Sequence, residues 1–519
     1  MGANEDWSSW QRWVGHRPEG RVGRDFVRAN CDRIRALFFW ARVAVIPFSW
    51  CGALGCYWLG LRFYGPTSGT AALALWCFSP TVLAHAGLVT ADVPAAAAAI
   101  LFIGVLDRVW RQPTNRAGVV LGASLGLAAL VKFSLIVLLP LILLLWAASF
   151  SGLVASGKKR ELRKALLLSM PVALYLLNLG YLGAGSMTTI GSYQFVSQTM
   201  QGVQSLLPSG IPVPLPSDLI QGIDLQSRDF QFGWPSFLMG ENRRGGFPSY
   251  FLWGILFKVP VGTLLLIGVG CTASKWFVGE VPLILVPSLL IFVASIPPSI
   301  HIGVRYVLPA LPLLFVLASR SFERPGWHRR FGMICSLATG VAVLSATPNY
   351  LGFFSLPSKL FGDPQHLLAD SNIDWGQDLY ALAEWRDRYA GDDEMHVAYF
   401  GQMDLRCVGL EANLPPIAID AVDEGNAASA IGSAVIIEPG LYAISVNFLT
   451  SFDPLDWGDT IGFTGCEKPK LGYFNELEAI AEIGSSIRVF RLDPKDCERL
   501  GSMYRFANLV EPRPSESQE

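Results

Sequence analysis

Five ionisable side chains lie within or at the ends of apolar stretches, where such groups are costly and commonly functional. They are His85, Asp92, Lys132, Lys258 and Arg305. One carboxylate among several cations suits a phosphorylated substrate, because cations can hold a phosphate while a carboxylate handles a hydroxyl or a sugar. We therefore predict that the five residues share a polar pocket, with Asp92 as the catalytic residue and the other four as substrate-binding residues.

Simpler interpretations exist for each of these residues. Asp92 precedes Val93-Pro94, a sequence typical of a helix start, so Asp92 could serve only as an N-cap. A long cationic side chain near the end of a membrane helix can extend to the interface without any further role. A shared pocket would explain why ionisable residues occur in several separate apolar stretches, and both interpretations are compatible with the sequence.

The elements that must position these groups are apolar and long. The chain has 519 residues with 16% charged residues and a mean hydropathy of +0.39, whereas soluble domains carry about a quarter charged residues. We predict a mainly α, polytopic membrane protein of about ten spans. The predicted spans lie near 37–58, 67–86, 92–108, 117–131, 134–151, 164–184, 250–272, 281–297, 305–319 and 331–349.

Basic residues recur in alternate loops, around 108–116, 157–164, 275 and 320–330. Short basic loops face the cytoplasm, so all four are predicted on that side. The opposite, extracytoplasmic face then holds the polar segment 1–35, the loop 185–249 and the region 350–519. We accordingly expect a multi-pass protein of the cell membrane, with residues 36–349 as its transmembrane domain.

The region 350–519 reads as a soluble α/β domain. Strand-like runs "MHVAYFG", "SAVIIEPGLYAISV" and "SSIRVFRL" are separated by polar loops. Asp374 with Gln377 three residues later predicts a capping box at the start of a helix that ends near Tyr389. In an oxidising compartment Cys407, Cys466 and Cys497 could form one disulfide and leave one free thiol.

Four segments, in order, resemble one enzyme class: "SPTVLAHAGLVTADVPAA", "PSFLMGENRRGGFPSYFLWGILFKVPVG", "GVRYVLPALPLLFV" and "ADSNIDWGQDL". They are similar to bacterial relatives of the protein O-mannosyltransferases and aminoarabinose transferases, which are GT-C glycosyltransferases, family 39-like. The resemblance runs from about residue 35 to 385, and more weakly to 495. It implies a hexosyl or pentosyl transferase that uses a polyprenyl-phosphate-linked sugar on the extracytoplasmic face, with inversion at the sugar carbon.

The resemblance also implies roles for individual residues. Asp92 matches the family's second outer-loop acid, and Lys132, Lys258 and Arg305 match positions suited to the lipid phosphate. The pair Arg243-Arg244, in "GENRRGG", is expected to bind substrate by closing over the donor, or else to lie at the headgroups as an interfacial segment. The acceptor is a lipid, a glycan or a protein, and a divalent metal is left open as a cofactor.

One departure from the family concerns its principal acid, which follows the first transmembrane helix. Neither is convincingly present, because Glu5-Asp6 has the reversed order and no helix before it. We therefore expect that this chain lacks the first helix, and an inactive relative that binds lipid-linked sugar is one alternative. A transporter or flippase of such lipids is another, but it predicts interrupted helices in paired positions, which we do not find in the sequence.

Other classes of function find no support in the sequence. The net charge of −2 and the absence of a long basic run argue against a nucleic-acid partner. The nine cysteines are scattered without the spacing of zinc ligands.

Overall fold

The computed structural model describes residues 19–272, 280–296, 300–323, 325–391, 393–419, 431–450 and 470–509. The predicted mainly helical fold, with small sheets in the C-terminal region, is confirmed. The helices are α1 (Glu19–Ala29), α2 (Ile34–Tyr64), α3 (Pro66–Cys77), α4 (Pro80–Ala86), α5 (Asp92–Arg111), α6 (Asn115–Val131), α7 (Leu139–Ala148), α8 (Ser156–Gly180), α9 (Gln198–Leu206), α10 (Ser217–Phe232), α11 (Tyr250–Lys258), α12 (Val261–Cys271), α13 (Val281–Ala294), α14 (Leu311–Ala318), α15 (Trp327–Ser345), α16 (Pro364–Leu367), α17 (Leu379–Tyr389), α18 (Val446–Thr450) and α19 (Pro494–Met503).

The strands are short and occur from residue 235 onward. They are β1 (Pro235–Leu238), β2 (Glu241–Arg244), β3 (Met395–Ala398), β4 (Ile417–Ile419), β5 (Ile431–Val435), β6 (Gly440–Ser445), β7 (Ala481–Ile483), β8 (Ile487–Leu492) and β9 (Arg505–Leu509). All three strand-like runs predicted from the sequence therefore contain strands.

Membrane-length apolar helices are present among the described residues. Four are long and apolar enough to cross by themselves: α2, α5, α8 and the helical stretch Val304–Phe322 that contains α14. The number rises to six if each of two bent helix pairs counts as one span. The remaining predicted spans fall on shorter helices or on α15, so the figure of about ten spans stays a prediction.

The two bent pairs contradict the prediction of uninterrupted helices at 67–86 and 250–272. The axes of α3 and α4 differ by 58°, and those of α11 and α12 differ by 119°. Proline explains the positions of both breaks, since Pro80 starts α4 and Pro260 is the N-cap of α12. Proline has no N–H to donate and disfavours a helical residue before it, so each proline ends one helix and begins another.

The chain forms two compact units. The first unit, called here the helical unit, contains residues 39–234 and 245–360. Within it α6 and α8 pack at very short range: a Cβ added at Gly118, Gly122 or Gly126 would lie 2.4, 2.3 or 2.9 Å from a backbone oxygen of α8. These glycines are spaced four residues apart, so they form one flat stripe that admits the neighbouring backbone.

The second unit, called here the mixed unit, contains residues 235–244 and 361–519 together with the chain up to Phe38. Its larger sheet has the strand order β3-β6-β8-β7, in which only β3 and β6 are parallel. A three-stranded antiparallel sheet has the order β4-β9-β5, and β1 and β2 form a hairpin. Aromatic residues such as Tyr442, Phe474 and Phe490 fill the core against the larger sheet.

The acidic motif "DSNIDWGQD" stabilises the mixed unit and does not form the predicted capping box. Helix α17 starts at Leu379 with Asp378 at the N-cap position and without a side-chain cap. The Asp378 carboxylate instead accepts hydrogen bonds from the backbone N–H groups of Ser485 and Ser486, at 3.0 and 3.1 Å. Asp374 accepts from the N–H of Gly376 and from the hydroxyl of Ser445, and burial raises its pKa to about 7.

The disulfide in the mixed unit also differs from the sequence expectation. Cys407 pairs with Cys31, whereas Cys497 is a buried free thiol and Cys466 lies outside the described residues. Beside the bridge, Arg28 donates a hydrogen bond to Asp404 at 3.0 Å. The expectation was wrong because it considered only cysteines of the region 350–519, whereas the segment that contains Cys31 packs in the same unit.

Candidate functional site

Asp92 is the first residue of α5, and its carboxylate binds cations rather than the helix end. The N-cap is Ala91, and no side chain caps the helix. The distance from Asp92 Oδ1 to Lys132 Nζ is 2.7 Å, and that from Oδ2 to Arg305 Nη1 is 3.7 Å. The interpretation of Asp92 as a simple N-cap is therefore wrong, because its oxygens face two basic side chains instead of backbone N–H groups.

Local backbone breaks present the two cations. Lys132 separates α6 from the 3₁₀ helix Phe133–Leu138 and has extended backbone angles, φ −156° and ψ 114°. Arg305 lies in the 3₁₀ helix Val304–Ala310, which follows Gly303. Lys132 thus projects from a break between two helices, and Arg305 projects from the first turn of a helical stretch. Such breaks and helix ends are where polar groups can converge within an apolar unit.

An aromatic ring that the sequence analysis overlooked joins the two cations. The Tyr306 ring centre lies 5.4 Å from Lys132 Nζ and 5.0 Å from Arg305 Cζ. Its negative face supplements the carboxylate in holding both charges in place. The available signal was its position next to Arg305 in "GVRYVLP".

The three charged side chains differ in how exposed they are. Asp92 is 3% exposed at its side chain, whereas Lys132 and Arg305 are 21% and 20% exposed. The cations are therefore the reachable part of the cluster, and the carboxylate lies behind them. Two cations and one carboxylate leave a net positive charge of one, so the cluster as a whole attracts an anion.

His85 on α4 is the fourth predicted residue near this cluster. Its electrostatic neighbours are Asp92, Arg305, Lys258 and Lys132. The ring is 3% exposed, and Nδ1 makes no hydrogen bond to any residue that the structure describes. All five ionisable residues singled out in the sequence therefore lie in one region of the helical unit.

Lys258 differs from Lys132 and Arg305 in what it contacts. Its Nζ donates to the carbonyl oxygens of Leu351 and Phe353, each at 2.9 Å, and lies 3.8 Å from the ring centre of Phe354. Its own carbonyl oxygen accepts from the Thr81 hydroxyl at 2.9 Å. Since Thr81 belongs to α4 and Lys258 ends α11, this hydrogen bond joins the two broken helix pairs.

Ser355 completes the same junction. Its N–H donates to the carbonyl oxygen of Phe257 at 2.7 Å, and its hydroxyl donates to that of Leu256 at 2.6 Å. Both carbonyl groups belong to the last turn of α11, where the 119° bend leaves acceptors without an intrahelical partner. The junction thus satisfies backbone groups that would be costly in an apolar environment.

The remaining predicted residues belong to the mixed unit or lie outside the described residues. Arg243 and Arg244 are exposed on β2 of the mixed unit, paired with Ser236 and Pro235 of β1. Glu5 and Asp6 lie outside the described residues. Within the described ranges, no group of three or more His, Cys, Asp or Glu residues is arranged to hold a metal ion.

Comparisons with known proteins found two solved structures and no relative by sequence. No family model matches the chain, and no curated protein does. The chain is similar to crystal structures of ArnT from Cupriavidus metallidurans, in the apo state at 13% identity and TM-score 0.40, and bound to undecaprenyl phosphate at 14% identity and TM-score 0.42. Each comparison covers 86% of this chain and 83% of the ArnT chain.

Proposed function

We propose that this protein is an integral-membrane glycosyltransferase of the GT-C class that takes a hexosyl or pentosyl group from a polyprenyl-phosphate donor. The observation that carries the proposal is the pair of reachable cations, Lys132 and Arg305, held by the buried carboxylate of Asp92. An excess of positive charge beside apolar helices suits a lipid phosphate, whose tail needs an apolar surface. The sequence resemblance to GT-C enzymes adds the sugar and its transfer.

In this proposal the cations act on the leaving group. Lys132 and Arg305 bind the phosphate and stabilise the charge that develops on it when the bond to the sugar carbon breaks. The acceptor hydroxyl attacks that carbon from the opposite side while the bond from the carbon to the phosphate oxygen breaks. The hydroxyl proton passes through solvent to the departing phosphate, which leaves as polyprenyl phosphate. His85, whose Nδ1 accepts or donates no hydrogen bond among the described residues, is a candidate to contact the sugar or the acceptor.

The geometry favours a positioning role for Asp92 over the catalytic role predicted from the sequence. Its Oδ1 is engaged by Lys132 at 2.7 Å, and its Oδ2 faces Arg305. An acceptor hydroxyl would have to compete with these cations for the carboxylate. We therefore propose that Asp92 orients the phosphate-binding side chains. The hydrogen bond from Thr81 to Lys258 holds α4 against α11, and Ser355 stabilises the last turn of α11.

Replacing Arg305 by methionine is expected to weaken binding of undecaprenyl phosphate to the full chain in nanodiscs at least tenfold, about 1.4 kcal/mol. The reason is the loss of a charge-assisted contact to phosphate. Arg305→Lys should retain part of the affinity, and Arg160→Met, at an exposed site of α8, should leave it unchanged. Wild-type affinity in Arg305→Met would contradict the proposal that this cluster binds the lipid phosphate.

We further propose that the mixed unit and the loop 185–249 are extracytoplasmic. The disulfide between Cys31 and Cys407 supports this orientation, because such bonds persist in oxidising compartments. In intact cells, an impermeant thiol reagent is expected to label a cysteine introduced at Gln221, an exposed residue of α10. It should not label one at Arg160; the reverse pattern would invert the topology.

A transporter of lipid-linked sugars is the second candidate, and the two broken helix pairs favour it. The reactions differ in what they require. A glycosyltransferase releases polyprenyl phosphate only when an acceptor is present, whereas a transporter moves the intact donor between leaflets without one. An inactive relative would bind the donor and do neither.

A further inference from the structure

A long stretch of the chain that includes α9 carries no charge. Residues 165–217 contain no Asp, Glu, Lys, Arg or His, in a protein in which 16% of residues are charged. The first part of this stretch belongs to the span-length helix α8, but residues 181–217 lie beyond its end. Loops in water normally carry charged residues, so their absence here indicates a different environment.

The same segment exposes large apolar side chains. Leu182 is 90% exposed and Leu206 is 83% exposed, and they are accompanied by Met187, Val203 and Leu207. Val203 and Leu206 are three residues apart on α9, so they lie on one face of that helix. Apolar surface of this kind on a loop marks a site of interaction.

The exposed apolar side chains are additional to a small hydrophobic core that the segment already forms. The segment already has its own small core of Ile190, Tyr193, Phe195 and Ile220. It is tied to the end of α8, where Asn178 donates from its side chain to the carbonyl oxygen of Pro214 at 3.1 Å.

The exposed residues continue the apolar flank of α8. On that helix Tyr175 is 66% exposed and Leu179 is 51% exposed, and Leu182 follows immediately after its end. A span-length helix presents such a flank to lipid. Leu182 therefore extends the exposed apolar flank of α8 into the segment 182–211.

We infer that residues 182–211 form an interfacial element that lies in the headgroup region of the bilayer at the end of α8. Its partner is the lipid surface itself. Without basic residues the element cannot select anionic headgroups by charge, so its association rests on burial of Leu182, Val203, Leu206 and their neighbours. This distinguishes it from basic amphipathic helices, whose binding depends on anionic lipid.

The test is a spin label at Leu206→Cys in the full chain, with Gln221→Cys of α10 as the matched control. The exposed free cysteines Cys51, Cys77 and Cys271 are first replaced by alanine. In phosphatidylcholine nanodiscs, the label at position 206 is expected to collide more with oxygen, which partitions into lipid, than with a water-soluble nickel complex. The label at position 221 should show the opposite order.

The lipid composition and the oligomeric state provide the remaining readouts. Adding phosphatidylglycerol should leave the oxygen-to-nickel ratio at position 206 unchanged, because the element is uncharged. Greater nickel accessibility at 206 than at 221 would place the element in water and overturn the inference. Spin–spin broadening between labels at position 206 would show that this surface contacts a second copy of the chain and not lipid, which would also overturn the inference. Neither outcome would contradict the proposal that Lys132 and Arg305 bind phosphate.

Discussion

Replacing Lys132 by methionine is expected to destabilise the helical unit by about 3 kcal/mol. The change removes the cation 2.7 Å from Asp92 and leaves a carboxylate that is 3% exposed, whose remaining ion pair among the described residues is the longer one to Arg305. A buried charge without a close partner is among the few mechanisms that produce so large a loss. Thermal or denaturant unfolding of the full chain in detergent micelles measures the effect.

The double variant identifies the cause of that loss. Adding Asp92→Asn to Lys132→Met removes the buried charge as well, so stability should return to within about 1 kcal/mol of the wild type. Lys164→Met is the matched control, because Lys164 also pairs with a carboxylate, Glu161 at 3.1 Å, but at an exposed site. It should cost less than about 1 kcal/mol. Equal losses in both lysine variants would contradict the buried pair.

Asp92→Asn alone separates the two roles considered for this residue. If Asp92 is a positioning residue, the Asp92→Asn variant should bind the donor more weakly but largely retain turnover at saturating donor. As a catalytic residue, it should lower turnover at saturation at least tenfold, about 1.4 kcal/mol. The second result would restore the role predicted from the sequence.

Replacing Gly122 by leucine is expected to destabilise the helical unit by roughly 3 kcal/mol or to prevent its folding. A Cβ at this position would lie 2.3 Å from the carbonyl oxygen of Ser169, a backbone atom that cannot move away without separating α6 from α8. The lost contact runs along three turns of both helices, because Gly118 and Gly126 share the interface. The same unfolding measurement in micelles applies.

A glycine of another membrane helix provides the control for this variant. Gly268 of α12 has no atom within 4 Å of an added Cβ. Gly268→Ala should therefore be neutral or stabilise by up to about 1 kcal/mol, because alanine is the better helix former. Gly122→Ala should already be measurably destabilising. Wild-type stability in Gly122→Leu would show that α6 and α8 do not pack as closely as described.

The sequence by itself determined the class of elements and the region of the site. Apolar stretches predicted helices at 92–108 and 164–184 because a run of about 20 apolar residues can be recognised in the sequence itself. The strands around β3, β6 and β8 followed from their alternating and β-branched residues. The five ionisable residues were recognisable because a charge in an apolar stretch needs a partner or a function.

Only the tertiary structure decided which partners these residues have. Asp92 and Lys132 are 40 positions apart, and their contact depends on how α5 packs against α6. The same applies to Lys258, whose Nζ binds carbonyl groups more than 90 positions away, at Leu351 and Phe353. Backbone acceptors carry no residue-specific signal, so no reading of side-chain types could predict that pairing.

Tertiary packing also determined how the helices break and which cysteines form the disulfide. Pro80 and Pro260 were visible in the sequence, but a proline inside an apolar stretch can be accommodated with a modest kink or can redirect the chain. The surrounding packing decides between these outcomes, and here it includes the hydrogen bond from Thr81 to the end of α11. Cys31 joined Cys407 because the folded mixed unit includes segments that are 376 positions apart in the chain, a property of three-dimensional packing that cysteine spacing does not encode.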